Sequence, residues 1–308
     1  MSEAINKSRA SKFKQQKLPA RQPILKPRSV IPTMLVLGIF FIVMGVIFVL
    51  SVDSVIEVSK RYDDKCEIGS NCTITFEPPS DMESPVYFYY ELTNFYQNHR
   101  RYVKSRDDTQ LGGEILSYED AEELCDPIIS LDGEEKDSMV YQPCGLIVWS
   151  QFNDTLTVKN GDEVLNFNEN GIAWESDIES KFQNPDPKPD PDSPTTLQSD
   201  FTEEHFVIWM RVAALPTFRK LYAVLENGKL EQGKQYSVNI ENNYPVSSFD
   251  GQKSLIFTTT TWVGGKNTFL GYAYISLGSI LFLIGLGFLL KHLIKPRELG
   301  KEKYLKWE

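Results

Sequence analysis

The residues in this chain that could do chemistry are few and unevenly placed. Three histidines (His99, His205 and His292), four cysteines (Cys66, Cys72, Cys125 and Cys144) and one dense knot of cations stand out. The knot is NFYQNHRRYVKSRDD, residues 94–108. It sets Arg100, Arg101, Lys104 and Arg106 beside His99 and the rings of Phe95, Tyr96 and Tyr102. Such a group could bind a polyanion, place a histidine for proton transfer, or pair with carboxylates to pin a loop. The acid pairs Asp107–Asp108 and Glu203–Glu204 have the residue types of a glycosidase, where one carboxyl protonates the leaving group and another attacks or activates water. Other motifs fail on spacing. No H-E-x-x-H or G-x-S-x-G occurs, and VGGKNT (263–268) departs from a phosphate loop at Thr260 and Asn267.

Two apolar runs decide where these residues can act. Residues 30–52 and 267–290 carry no charged side chain, and about 20 apolar residues suffice for a helix to span a bilayer core. The first run is too long, and its polar leader too long, for a cleaved signal peptide. The first 29 residues hold eight Lys/Arg against one acid, and residues 291–308 hold six against three. Basic flanks stay cytosolic. The expected layout is a basic cytosolic tail (1–29), a first span (30–52), an outer domain (53–266), a second span (267–290) and a cytosolic tail (291–308). His292 is then on the opposite side from His99 and His205, so the three histidines cannot share a metal, and no other metal or cofactor motif is present.

Charge sharpens this reading. The tails carry +7 and +3 and the spans nothing, so a net charge of −10 leaves −20 for the outer domain. An acidic domain repels nucleic acid. The 94–108 cluster is a basic island in acidic surroundings; pairing with Asp and Glu of its own domain and stacking on Phe95, Tyr96 and Tyr102 are the expected uses, with contact to a partner protein as the alternative. His99 reads as a hydrogen-bonded structural residue and the acid pairs as solvated surface charge.

All four cysteines fall in the outer domain, as disulfides in an oxidising compartment require. Of the three possible pairings, Cys66–Cys72 with Cys125–Cys144 closes the shortest loops. Zinc spacing of the C-x-x-C kind is absent. Sequons at Asn71-Cys72-Thr73 and Asn153-Asp154-Thr155 are candidate glycosylation sites on the same side. In the spans, Gly38 and Gly45, and Gly271, Gly278 and Gly285, recur every seven residues. That spacing returns to nearly the same helix face and gives small-residue stripes for close helix packing, against each other or against a larger membrane partner.

The outer domain reads as β-rich, an antiparallel sandwich-like α+β fold. Residues 84–92, 144–152, 155–158, 236–240 and 254–263 have strand composition. Helices are expected at 117–125, with a Ser117 cap, and at 215–226, where Phe218, Leu221, Tyr222 and Leu225 fall at helical spacing. Five prolines make 184–194 an extended loop, and Asn-Gly at 227–228 and Asp-Gly at 132–133 and 250–251 mark turns.

NFYQNHRRYVKSRDD resembles a signature of the Cdc-fifty family, the accessory β-subunits of type IV P-type ATPases, the lipid flippases. FKQQKLPARQPIL (13–25), PCGLIVWSQFNDTL (143–156), GIAWESD (171–177), FVIWMRVAALPTFRKLY (206–222), NNYPVSSFDGQKSLIFTTTTWVGGKN (242–267) and FLGYAYISLGSI (269–280) fit in order, over essentially the whole chain. The resemblance implies a non-catalytic subunit without cofactors. It would pair with an ATPase α-subunit as a heterodimer, accompany it out of the endoplasmic reticulum and stay bound while membrane phospholipids are moved. Residence in endoplasmic reticulum, Golgi, endosome or plasma membrane follows. The chain's lack of a D-K-T-G sequence agrees with that division of labour. One departure is that many members carry a second cysteine pair in the first outer loop, where this chain has only Cys66 and Cys72. The rival reading is a two-span ligand-gated cation channel, whose outer domains are usually far richer in cysteine; a surface adhesion module is weaker still.

Overall fold

The computed structural model describes residues 26–296 together with Gln16 and Leu18. Most of the expected tails, 1–29 and 291–308, and most of FKQQKLPARQPIL lie outside the described residues. In chain order the elements begin with α1 (Pro27–Asp53), β1 (Glu57–Arg61), β2 (Ser70–Phe76), β3 (Met82–Glu83) and β4 (Val86–Leu92). Helices α2 (Arg100–Lys104), α3 (Asp108–Leu111), α4 (Tyr118–Cys125) and α5 (Leu146–Trp149) follow. Then come β5 (Thr155–Asn160), β6 (Glu163–Val164), α6 (Glu175–Lys181), α7 (Glu204–Met210), β7 (Phe218–Leu225) and β8 (Lys229–Leu230). The chain closes with β9 (Tyr236–Asn242), β10 (Lys253–Thr258) and α8 (Phe269–Ile294). These fall into two compact units, residues 50–267 and the helical segments flanking them.

In the helical unit, α1 and α8 have 27 and 26 residues, and at ~1.5 Å per residue either can cross a ~30 Å hydrocarbon layer. Both are long and apolar enough to cross a membrane. All five stripe glycines sit where the two helices meet. A Cβ on Gly278 would lie 2.7 Å from the Gly38 carbonyl and the Ile42 amide, and one on Gly45 would lie 2.8 Å from the Gly271 carbonyl. Tyr274 of α8 takes Phe41 and Phe48 of α1 edge-on at 5.4 and 5.2 Å. The stripes are therefore used within the chain.

The outer unit is a sandwich of two four-stranded antiparallel sheets, ordered β1-β10-β4-β7 and β2-β9-β5-β6, with a small β3-β8 ribbon. Alternation builds the core. Val86, Phe88, Tyr90 and Leu92 of β4 point inward while Tyr87, Tyr89 and Glu91 do not. Phe88 and Phe257, paired across the first sheet, stack at 4.4 Å, and Phe76 of the second sheet stacks on Phe257 at 4.3 Å.

Two segments depart from the sequence reading. Residues 215–226 are not helical but form β7. A bulge against β4 pairs Phe88 with Ala223 and Tyr89 with Leu221, leaving Tyr222 as the extra residue. The inward phase slips by one there, so Phe218, Tyr222 and Leu225 are buried at a spacing that imitates a helix. Residues 144–152 do not form a strand but carry α5. Gly145 adopts φ 109°, and the Leu146 amide donates to the Ser105 hydroxyl at 2.8 Å, which turns the apolar run into one helical turn. A short apolar run does not itself distinguish helix from strand.

Elsewhere the local signals hold. The Ser117 hydroxyl accepts the Asp120 amide at 3.2 Å and caps α4. The strand expected at 254–263 is β10, ending at Thr258, and a turn closed between Thr261 and Gly264 follows. Cys66 is bonded to Cys72 and Cys125 to Cys144. The second bond joins the end of α4 to the approach of α5 and lies in a small separate core with Leu116, Ala121 and Val140.

Candidate functional site

The 94–108 segment is held by its neutral residues. Phe95 packs on Tyr102, Trp209, Phe218 and Phe249 at 5.1–6.2 Å. The buried Gln97 accepts the Ala213 amide at 2.8 Å, and Asn98 donates to the Ala214 carbonyl at 2.9 Å. Tyr102 shares a hydrogen bond with Ser150 at 2.9 Å, and burial pushes its hydroxyl up to about 12. Ser105 donates to the Cys125 carbonyl. Gln110 bridges the Tyr141 carbonyl and the Cys144 amide, tying the segment to the second disulfide.

Of the four cations, only one makes the expected pairing within the domain. Arg106 alone pairs within the domain, with Asp108 at 3.0 Å, and also donates to the Met210 carbonyl. Arg100, Arg101 and Lys104 lie on α2, are exposed, and have no acidic partner among the described residues. They do not stack on Phe95, Tyr96 or Tyr102 either, since the cation–ring contacts involve Arg211, Lys220 and Lys253. Tyr96 is exposed, and His99 stands at the head of α2 without a side-chain capping bond. The tight loop and its free charge have separate owners.

Two of the carboxylates weighed for catalysis are occupied with capping. Asp107 accepts the Gln110 amide at the start of α3, and Glu203 accepts the His205 and Phe206 amides at the start of α7. Glu204 accepts the Gly171 and Ala173 amides, both at 2.7 Å. Of these carboxylates only Asp108 remains well exposed, and it meets Arg106. His205 faces Glu169 at 3.1 Å and packs on Tyr222. Among the described residues no group of three His, Cys, Asp or Glu is placed to hold a metal.

The functional chemistry missed in the sequence is buried. Lys253 is fully enclosed and donates to Asp154 at 2.6 Å, to the Asn242 side chain at 2.5 Å and to the Tyr244 carbonyl at 2.6 Å. Asp154 in turn accepts the Tyr62 hydroxyl and the Asn243 and Tyr244 amides, each at 2.6 Å. The knot ties both sheets and the Cys66 loop, whose carbonyl accepts from Asn242. Burial lowers the Lys253 ammonium against the opposing pull of Asp154, and burial holds the Tyr62 hydroxyl well above its usual range. Lys220 similarly reaches the carbonyls of Ile208, Trp209 and Arg211 at the end of α7. Burial, with Arg211 nearby, brings it down to about 7. Asp177 is held low by the Arg211 guanidinium, which also lies 4.1 Å over the Trp174 ring, and by Lys181. Period-two phase was the available signal: Lys253 is in register with Leu255 and Phe257, and Lys220 with Phe218 and Tyr222.

Two grooves of ≈ 530 and ≈ 360 Å³ share Asp177 and Arg211. The larger takes in Val103, Arg106 and Lys181, and its ion pairs are mutually satisfied. Both sequon asparagines are exposed, Asn71 on β2 and Asn153 just before β5. Asn71 and Thr155 both pair with Glu241 of β9, so the two sequons flank one position on the outer face of the second sheet. This arrangement can bind, orient and hold shape.

A family model described as the LEM3 (ligand-effect modulator 3) family / CDC50 family matches residues 51–298. The chain belongs to the CDC50 family. ALA-interacting subunit 3 of Arabidopsis thaliana is 42% identical over 325 residues, spanning 96% of this chain and 89% of that protein. Cell cycle control protein 50A of Bos taurus is 41% identical over 315 residues, 89% and 85% of the two chains. Phospholipid-transporting ATPase accessory subunit CRF1 of Saccharomyces cerevisiae is 34% identical over 351 residues, 96% and 88%. In this CDC50 chain, the stretches that carried the resemblance hold the buried ties. PCGLIVWSQFNDTL supplies Cys144 and Asp154, GIAWESD supplies Trp174 and Asp177, FVIWMRVAALPTFRKLY supplies Arg211 and Lys220, and NNYPVSSFDGQK supplies Asn242, Tyr244 and Lys253.

Proposed function

We propose that this protein is the non-catalytic accessory subunit of a phospholipid-translocating P-type ATPase of type IV. It binds the α-subunit as a heterodimer, accompanies it out of the endoplasmic reticulum and biases its transport cycle. Both tails are cytosolic, residues 53–266 are exoplasmic, and Asn71 and Asn153 carry glycans. Similarity over nearly the full length to proteins named accessory or interacting subunits supports this reading. The observation that carries it is the exposed trio Arg100, Arg101 and Lys104, without acidic partners among the described residues, on an otherwise closed scaffold. Fixed cations on a rigid support favour an acidic partner surface, and they act through differential binding of the pump's states, since equal binding shifts no equilibrium.

The test is co-purification of the tagged full-length chain with its large subunit, followed by lipid-stimulated ATP hydrolysis. Arg100→Glu, Arg101→Glu and Lys104→Glu together should weaken co-purification and stimulation while leaving both disulfides formed. His99→Ala should leave hydrolysis by an assembled complex intact. Conductance by the chain alone in a planar bilayer would favour the channel reading instead.

A further inference from the structure

Within the helical unit, the start of α1 and the end of α8 enclose a groove of ≈ 310 Å³. Its floor is apolar, from Val30 and Ile31 of α1 and Phe288 of α8, and Lys291, His292 and Lys295 stand around it. Ile31 is buried, while Lys291 and Lys295 are exposed one helical turn apart. Lys26 and Arg28, also exposed, add two cations at the same end of α1. The first turn of α1 contains no acid, and none of these four Lys/Arg has an ion-pair partner among the described residues.

Cations at a helix C-terminus have two ordinary uses, to complement the helix dipole and to snorkel toward the membrane surface. Neither requires an apolar recess beside them. The volume lies at the lower end of the ~300–1,000 Å³ typical of small-molecule sites. An apolar slot rimmed by positive charge with no ion-pair partner among the described residues, at the mouth of a membrane helix pair, matches one ligand chemistry: an acyl chain attached to an anionic headgroup.

We infer that this groove binds an anionic phospholipid, its chain against Val30, Ile31 and Phe288 and its phosphate between Lys291, His292 and Lys295. The inference rests on the topology proposed above, which puts the site in the cytosolic leaflet. Zwitterionic phosphatidylcholine presents the same chain without net charge and binds more weakly. Occupancy would tie the helix pair to the lipid composition of one leaflet, apart from any contact the outer domain makes.

The full-length chain, assembled with its ATPase, is reconstituted into vesicles doped with phosphatidylserine or phosphatidylcholine carrying a photoreactive acyl chain. Adducts on the peptides holding Val30, Ile31 and Phe288 are then mapped. Phosphatidylserine should label them in preference; Lys291→Gln and Lys295→Gln should each reduce the preference, by roughly fivefold per lysine near the surface, and His292→Gln added to both makes the triple variant. Val30→Trp, which fills the slot and keeps the cations, should suppress adducts of both lipids. Equal labelling by the two lipids, or preference unchanged in the triple variant, overturns the proposal. So does an absence of adducts, the result expected if the chain's own tail occupies the groove. Protease protection of the tails in microsomes, whose outer face is cytosolic, reads topology separately: tails that resist cleavage there overturn the leaflet assignment, and with it the topology, whatever the labelling shows.

Discussion

The basic trio on α2 and the Lys253–Asp154 knot invert each other. One is conspicuous in sequence and lies on the surface; the other is a single Lys and a single Asp, 99 residues apart, with no exposure at all. The three clustered cations of α2 lie on the surface without acidic partners among the described residues, whereas the charges of the knot are scattered in sequence and meet only in the fold. The difference is desolvation. A surface ion pair contributes about 0–1 kcal/mol, while a buried charge stripped of its partner costs several times more.

The largest effect should come from unpairing the knot. Lys253→Met leaves Asp154 enclosed and charged, and should cost about 3–5 kcal/mol in denaturant unfolding of the full-length chain. Adding Asp154→Leu removes the stranded charge but orphans the Asn243 and Tyr244 amides, so the double variant should recover only part of the loss. Neither change touches Asn153 or Thr155, so the sequon survives in both. If Lys253→Met unfolded like the parent, the contrast between the two regions would collapse.

Between the extremes lies the helix pair. Gly278→Leu forces a side chain against the Gly38 backbone and should cost about 1–3 kcal/mol, as overpacking does. Cross-linking between a pair of cysteines introduced into α1 and α8 should fall, and co-purification with the large subunit should suffer only through the loosened pair.

Lys220 gives a pH test of burial. Its folded pKa of about 7 lies below that of an unfolded lysine. Between that value and about 10.4 the unfolded chain binds more protons, and stability rises with pH through that window. Lys253, also lowered, adds the same sign. Unfolding midpoints compared at about pH 7.5 and about pH 9.5 should rise in the parent and rise less in Lys220→Met. A parent midpoint that falls across this interval would contradict the assignment.

The smallest stability change belongs to the conspicuous cluster. Arg100→Ala, Arg101→Ala or Lys104→Ala should each move unfolding by no more than ~0.5 kcal/mol, as exposed positions do. A loss comparable to that of Lys253→Met would show that the trio holds the loop after all.

What could be read from sequence followed from local rules. Two long uncharged runs gave the helices, period-two alternation gave β4 and β9, and Ser117 announced α4. The misreadings at 144–152 and 215–226 arose where a tertiary event overrode the pattern: a glycine turn bonded to Ser105 in one, and a bulge shifting the phase beside Tyr222 in the other. The α2 cluster was visible as composition, but its freedom from partners among the described residues depends on where the domain's acids come to rest. Lys253 and Lys220 were legible as cations on inward strand positions, although their acceptors were not.

The sheet order also fixes a sequence of events during synthesis. The Ile56 amide next to β1 bonds to Thr259 beyond β10, 203 residues later. Until β10 exists, β1 has no neighbour in its sheet and β4 has an open edge; β7 can cover only β4's other side. Asp154 likewise waits for Lys253, so the central knot stays open until β10 is made. A chain cut off before residue 253 has every other strand except β10, yet exposes a sheet edge and an unmatched carboxylate. Completion of this domain is thus signalled by its last strand, shortly before the second long helix is made.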